Sequence, residues 1–276
     1  MTERQTGKHK QRPPTYITRR KALLAIGGAA SAGALLSCGG GSDDTTASSS
    51  STTSSTSSTS TTTTSTDAST CAVTPEGEIG PYFVDDSATG FDRADIRSNL
   101  DGSETQTGIP LTLTITVQDS ESSCIGLQGA QVDIWHCNAE GVYSAEDVED
   151  TSGLTWLRGY QLTDSAGQVT FTTIFPGWYA GRTTHIHLRV RSKYSEASST
   201  SDGTNTTQVF FPQTTLATIN TTIAPYSSHG TNSTTNATDR VYADQTDGKM
   251  ELTLTGDTTA GYVTSVTINL PITAST

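Results

Sequence analysis

AQVDIWHCNAEGVYS, residues 130–144, alternates apolar and polar side chains as a half-buried strand does, turns over residues 138–141, and presents Tyr143 just beyond the turn. Working outward, LTLTITVQD, QVTFTTI, THIHLRVR, TQVFF, MELTLTG and YVTSVTINL also read as strands, separated by Gly, Asp, Ser and Asn turn residues. Amphipathic helical periodicity is nearly absent. From Cys71 onward roughly 200 residues remain, enough for one domain with its own core. The pattern predicts an all-β fold, an antiparallel β-sandwich with its chemistry at one edge, among strand ends and loops.

The chemistry-bearing stretch is PGWYAGRTTHIHLRV, residues 176–190, which sets a tyrosine six residues before a His-x-His pair. Side chains at i and i+2 of a strand share a face, so His185 and His187 can aim two imidazoles at one ion. Tyr179, across a short turn holding Gly181, can add a phenolate, a hard oxygen donor that favours ferric iron over zinc. A His-x-His pair in a surface strand is often decoration, but Tyr179 and Arg182 beside it favour a site.

VDIWHCNAEGVYS, followed by LRGYQLTDSAGQVTFTTIFPGWYAGRTTHIHLRV, resembles the core of the intradiol ring-cleavage dioxygenases, the catechol and protocatechuate dioxygenase family, in particular its secreted single-domain branch. The resemblance runs from about Cys71 to the C terminus. Its most specific parts are the tyrosine after the WHC strand, the PGWY turn and HIH. It implies that Tyr143, Tyr179, His185 and His187 bind one non-haem Fe(III), with Tyr179 the ligand that departs when substrate binds and Tyr143 the one retained. It also implies that Arg182 is the active-site arginine and that Gln208 in TTQVFF lies near the bound substrate. GPYF, residues 80–83, matches a stretch that runs beside the pocket in relatives and makes Tyr82 a candidate substrate contact. The implied substrates are a small aromatic diol and O2, with the ring cleaved between its hydroxyls to a muconate-type diacid. The helical dimerisation region of the catechol branch has no counterpart here, so no oligomeric state is implied.

Charge supports such a centre. A trivalent ion with two phenolates and two neutral imidazoles carries one net positive charge, which a hydroxide neutralises. A catechol that chelates must lose two protons, one to the hydroxide and one to a tyrosinate, so the site stays neutral in a partly desolvated pocket.

Seven Lys and Arg precede Ala22, ending in Arg19-Arg20-Lys21, and residues 22–36 are small, apolar and uncharged. That run is too short to span a bilayer and reads as part of an export signal over residues 1–37, of twin-arginine type. Leu35-Leu36-Ser37-Cys38 resembles a lipobox, which would attach the chain to a membrane through lipidated Cys38; plain cleavage is the alternative. Residues 38–70 are a Ser/Thr-rich flexible tether, and residues 71–276 form the catalytic domain. The expected location is outside the cell, on its surface or in the periplasm. Without the segment before Cys38, nine basic face 27 acidic side chains, about −18 in formal charge. This argues against a nucleic-acid partner and makes a neutral catechol easier to accept than a heavily carboxylated one.

Three cysteines then stay in the domain. In an oxidising compartment one disulfide is expected, Cys71 with Cys124 being preferred to Cys124 with Cys137. Cys137 reads as a buried thiol beside the metal strand. His136, on the other face from Trp135 and Cys137, reads as supporting the site or exposed, and His229 as a solvated loop residue. The four N-x-S/T sequons, at Asn205, Asn220, Asn232 and Asn236, are what chance yields in so Thr-rich a chain. Two other classes compete. A non-catalytic cell-surface β-sandwich binding module would keep the tyrosines far from the histidines, and a zinc hydrolase would need a third His or carboxylate.

Overall fold

The computed structural model describes residues 71–85, 90–192, 204–245 and 250–272. The expected export signal and tether, and most of the stretch between 192 and 207, lie outside the described residues. Two sheets pack face to face. In the first, β1 (Pro110–Asp119) has β9 (Gly261–Leu270) along one side, and β2 (Ile125–Gly126) and β5 (Gln168–Ile174) end to end along the other. β8 (Thr255–Asp257) closes the far side of β9. The second sheet has the order β4 (Arg158–Leu162), β3 (Gln131–Trp135), β6 (His185–Arg191), β7 (Thr204–Phe210), antiparallel throughout.

The sandwich forms because both sheets present an apolar face. Leu111, Leu113, Ile115 and Val117 of β1, with Phe171 and Ile268, meet Val132, Ile134, Ile186, Leu188, Val190 and Val209 of the other sheet. Each such side chain contributes about 1.5–3 kcal/mol on burial. The alternate residues of β3 and β6, among them Trp135, His185 and His187, therefore lie on the outer face of the second sheet. The chain's first described segment covers that face, anchored by Thr74 N–H on the Asn269 carbonyl, Gly77 N–H on the Thr206 carbonyl and the Cys71–Cys124 disulfide. His185 and His187 thus sit on a covered outer face at one end of the sheet, where strand ends and loops meet.

Three elements differ from the sequence reading. β1 and β9 run parallel, from Leu111 opposite Tyr262 to Asp119 opposite Leu270. The chain between them spans most of the domain, long enough for the crossover that a parallel pair requires. MELTLTG is extended, but only Glu251 bridges to Phe210, and the ladder resumes at β8. α1 (Gln213–Thr222) is a helix in a Thr-rich stretch, formed because Leu216, Ile219 and Asn220 share a buried stripe at i, i+3 and i+4. A five-residue helix, α2 (Arg240–Asp244), follows later. No helix among the described residues is long and apolar enough to cross a membrane.

Candidate active site

Two interlocked loops deliver the tyrosines. After β3 the Asn138 side chain accepts from the Glu140 and Val142 amides, closing a turn in which Gly141 takes φ +81°. A Cβ on Gly141 would lie 2.0 Å from the Trp178 carbonyl oxygen, and one on Gly177 would lie 2.5 Å from that of Ala139. Only glycine lets the 138–141 turn nest against PGWY. The Tyr143 and Tyr179 rings consequently meet edge to face, 5.7 Å between centroids.

β6 supplies the imidazoles. The ring of His187 stacks on Trp135, its cross-strand partner, at 4.9 Å and 9°, while Gly80 packs against its Cε1, which a Cβ would approach to 2.9 Å. His185 Nδ1 lies 2.6 Å from the Thr183 carbonyl, so it carries the proton and leaves Nε2 as a bare lone pair. Two groups crowd that one lone pair: His187 Nε2 at 3.1 Å and the Tyr179 hydroxyl at 3.2 Å. Tyr143, 3% exposed, holds its hydroxyl beside them with no hydrogen bond of ordinary geometry.

Burial sets the protonation states. It drives His185 down to about 3 and His187 well below the usual imidazole range, with the Arg182 charge adding to both and His185 adding to His187, so both rings are neutral near pH 7. It lifts the Tyr143 phenol well above 10, with Tyr179 and Cys137 adding to the rise, and it lifts Tyr179 against the opposing charge of Arg182. Among the described residues no group of three or more His, Cys, Asp or Glu could hold a metal ion. The donors available here are two nitrogens and two phenolic oxygens, and they fit a hard trivalent ion, whose charge would ionise both phenols.

Arg182 and Gln208 flank the histidines. Gln208 stands opposite His187 on β7; its Oε1 accepts from Arg182 Nη2 at 2.5 Å, and its Nε2 donates to the Glu78 carbonyl at 2.7 Å. Arg182 Nε also donates to Asp239 at 2.9 Å, so the arginine is both close to the histidines and salt-bridged. Tyr82 lies over Tyr143 at 4.3 Å, stacked, and meets Tyr179 edge-on.

Of the other expectations, those for His229 and the cysteines hold. His136 is not exposed: it is buried between the sheets with Nδ1 on the Cys137 carbonyl and Nε2 on the Thr173 hydroxyl. His229 is exposed against the Trp178 ring. Cys71 and Cys124 are bonded, leaving Cys137 a buried free thiol that burial pushes up to about 12. The amides of Asn205, Asn232 and Asn236 already donate to backbone carbonyls and Asn220 is buried, so no sequon presents a free side chain in the fold.

Two supports escaped the sequence reading. Arg158, buried, donates Nη1 to the Tyr82 carbonyl and Nε and Nη2 to Ser144, tying the covering segment to the residue after Tyr143. Asp239 was legible only as a helix cap before RVYAD.

Among solved structures, the fold is similar to an intradiol ring-cleavage dioxygenase from Tetranychus urticae at 27% identity, TM-score 0.61, over 73% of this chain and 95% of that one. A family described as dioxygenase matches residues 79–217, which hold all four candidate ligands, Arg182 and Gln208. This chain belongs to the intradiol ring-cleavage dioxygenases. Within the family it is 30% identical over 139 residues to a catechol 1,2-dioxygenase of Candida albicans, covering 42% of each chain. It is 26% identical over 130 residues to a chlorocatechol 1,2-dioxygenase of Pseudomonas putida, covering 41% of this chain and 46% of that one. The chain thus spans less than half the length of these curated relatives. The dioxygenase domain of a carbohydrate-binding fusion from Streptomyces sp. SirexAA-E is also similar, at 26% identity and TM-score 0.51, over 73% of this chain and 99% of that one.

Proposed function

We propose that this intradiol dioxygenase binds one non-haem Fe(III) through Tyr143, Tyr179, His185 and His187 and cleaves a catechol-type ring between its hydroxyls with O2, giving a muconate-type diacid. The observation that carries the proposal is the convergence of two neutral imidazoles and two phenols, one of them buried with no hydrogen bond of ordinary geometry. A binding module with separated tyrosines does not account for a phenol oxygen 3.2 Å from His185, and a zinc hydrolase would want a further nitrogen or carboxylate.

The bound ion would act as Lewis acid and template, holding both oxygens of the diol and drawing electron density so that the ring can react with dioxygen. The chain's part is protonic and positional. Tyr143 is enclosed under Tyr82, which suits a permanent ligand. Tyr179 is only half-buried and lies two residues before Gly181, a turn at φ +92° with open space around it, which suits a ligand that withdraws. On withdrawing it takes one proton of the diol, and a phenol lifted in pKa by burial is a strong acceptor once ionised. Arg182, fixed by Asp239 and Gln208, lends a cation to the negative charge that develops on the ring and its oxygens. Trp135 and Gly80 fix the plane of His187.

The chain is further proposed to be exported and to work outside the cytoplasm, which fits the Cys71–Cys124 disulfide. Anaerobic titration of iron-loaded protein with a panel of catechols, then admission of oxygen and product analysis, tests the activity. Ring opening between the hydroxyls is expected; catechols that neither change the visible spectrum nor open refute it.

A further inference from the structure

We propose that Asp239 is the positioning residue for Arg182, so that a carboxylate 57 residues away in sequence decides where the site's fixed cation stands. The inference rests on the role given to Arg182 above. Asp239 is fully buried and accepts four hydrogen bonds. Its Oδ1 takes the Val241 and Tyr242 amides at 2.9 and 3.0 Å, capping α2. Its Oδ2 takes Arg182 Nε at 2.9 Å and the Thr183 amide at 2.8 Å. A five-residue helix needs a cap, and a serine or asparagine oxygen supplies one. The second oxygen serves only residues 182 and 183.

The same segment grips that turn twice more. Asn232 Nδ2 donates to the Arg182 carbonyl at 2.8 Å, and Asn236 Oδ1 accepts from the Thr183 hydroxyl at 2.7 Å. The main chain at 182–183 is thus held independently of the carboxylate, and the Thr183 carbonyl goes on to take His185 Nδ1. The guanidinium has fewer anchors. Besides Asp239 its one described partner is Gln208, and the side chain is 18% exposed beside the open Gly181 turn. Without the carboxylate it is free to swing into water, carrying its charge away from the reacting carbons. Loss of Asp239 has an opposite electrostatic effect too, because it unmasks the arginine's charge. Displacement outweighs unmasking, since a fixed charge contributes to a barrier only from the right place.

The test compares iron-loaded wild type, Asp239→Ser, Asp239→Asn, Arg182→Ala and the Asp239→Ser/Arg182→Ala double variant. Serine keeps the cap and cannot reach the arginine; asparagine keeps the cap and turns an N–H against Nε–H. Both single Asp239 variants are expected to retain iron and the visible phenolate band and to bind catechol within about threefold of wild type, while turnover falls about 10- to 100-fold. In the Arg182→Ala background the serine substitution is expected to change turnover by less than about twofold, the non-additivity of residues acting as a unit. A crystal structure of iron-loaded Asp239→Ser reads the same point without turnover: the guanidinium should have left Gln208 Oε1. Unchanged or raised turnover, an equal loss in both backgrounds, a guanidinium still on Gln208, or loss of iron in both Asp239 variants overturns the proposal. A wild type that binds iron but opens no catechol refutes the proposed reaction instead, and the crystal structure still judges the positioning.

Discussion

Replacing Tyr143 by phenylalanine is expected to make the metal-free protein more stable while abolishing its hold on iron. The hydroxyl is buried beside the Tyr179 phenol with no hydrogen bond of ordinary geometry, whereas the ring stacks on Tyr82 at 4.3 Å and meets Tyr179 edge to face. Phenylalanine keeps those ring contacts and removes only the stranded oxygen, whose desolvation costs about 1–3 kcal/mol. A gain of about 2 kcal/mol corresponds to a rise of about 4–8 °C in Tm for a domain of this size. Tyr226 provides an internal control of opposite sign. Its hydroxyl accepts the Ile109 amide at 3.0 Å and donates to the Phe175 carbonyl at 2.7 Å, so Tyr226→Phe should cost about 1–3 kcal/mol by leaving those groups unpaired. Urea unfolding of chelator-treated wild type and both variants, followed by tryptophan fluorescence, gives the two signs. A metal-free Tyr143→Phe protein less stable than wild type would refute the reasoning, because the hydroxyl would then have a partner whose loss is felt. A variant that keeps its iron would refute the ligand assignment.

His136 should impose an acid sensitivity of its own. Burial lowers its pKa from 6.5 to about 4, so between those values the unfolded chain takes up a proton that the folded chain refuses; stability falls with pH across that window by about 3 kcal/mol. His136→Gln should flatten the wild-type pH dependence by that amount, and parallel curves from pH 7 to 4 would contradict the assignment. Gly80→Ala places a Cβ 2.9 Å from His187 Cε1 at φ +71°, and should cost stability by about 1–2 kcal/mol and weaken iron retention, read by metal content after dialysis against chelator. Unchanged retention would show that His187 can shift freely. Cys71→Ser/Cys124→Ser opens a cross-link spanning 53 residues and should lower stability by up to about 4 kcal/mol in urea melts. A loss below about 0.5 kcal/mol would mean that the covering segment is held by its backbone bonds alone.

What was legible in the sequence was local. Alternation in QVDIW and THIHLRV fixes which residues face the core, and the same parity puts His185 and His187 on one outer face beside Trp135. Gly141 and Gly177 mark the close approach of the two tyrosine loops, although sequence alone does not say that they approach each other. The rest is set by contacts remote along the chain. β9 could not be read as parallel to β1, because its pattern of buried residues is the same in either direction. α1 hides in QTTLATINTT, where β-branched threonines argue against a helix and only packing of Leu216 and Ile219 sustains one. The buried roles of Asp239 and Arg158 were not legible, since a buried ion is recognised only when its partners, 57 and 76 residues away, are folded onto it.

The most direct test is the visible absorption spectrum of the iron-loaded protein at known metal content. One iron per chain with a broad burgundy phenolate-to-iron band is expected in the wild type, lost together with the metal in Tyr143→Phe and His185→Ala. A colourless protein carrying a full complement of iron, or a band indifferent to both substitutions, would contradict a ferric centre built on these tyrosines and histidines.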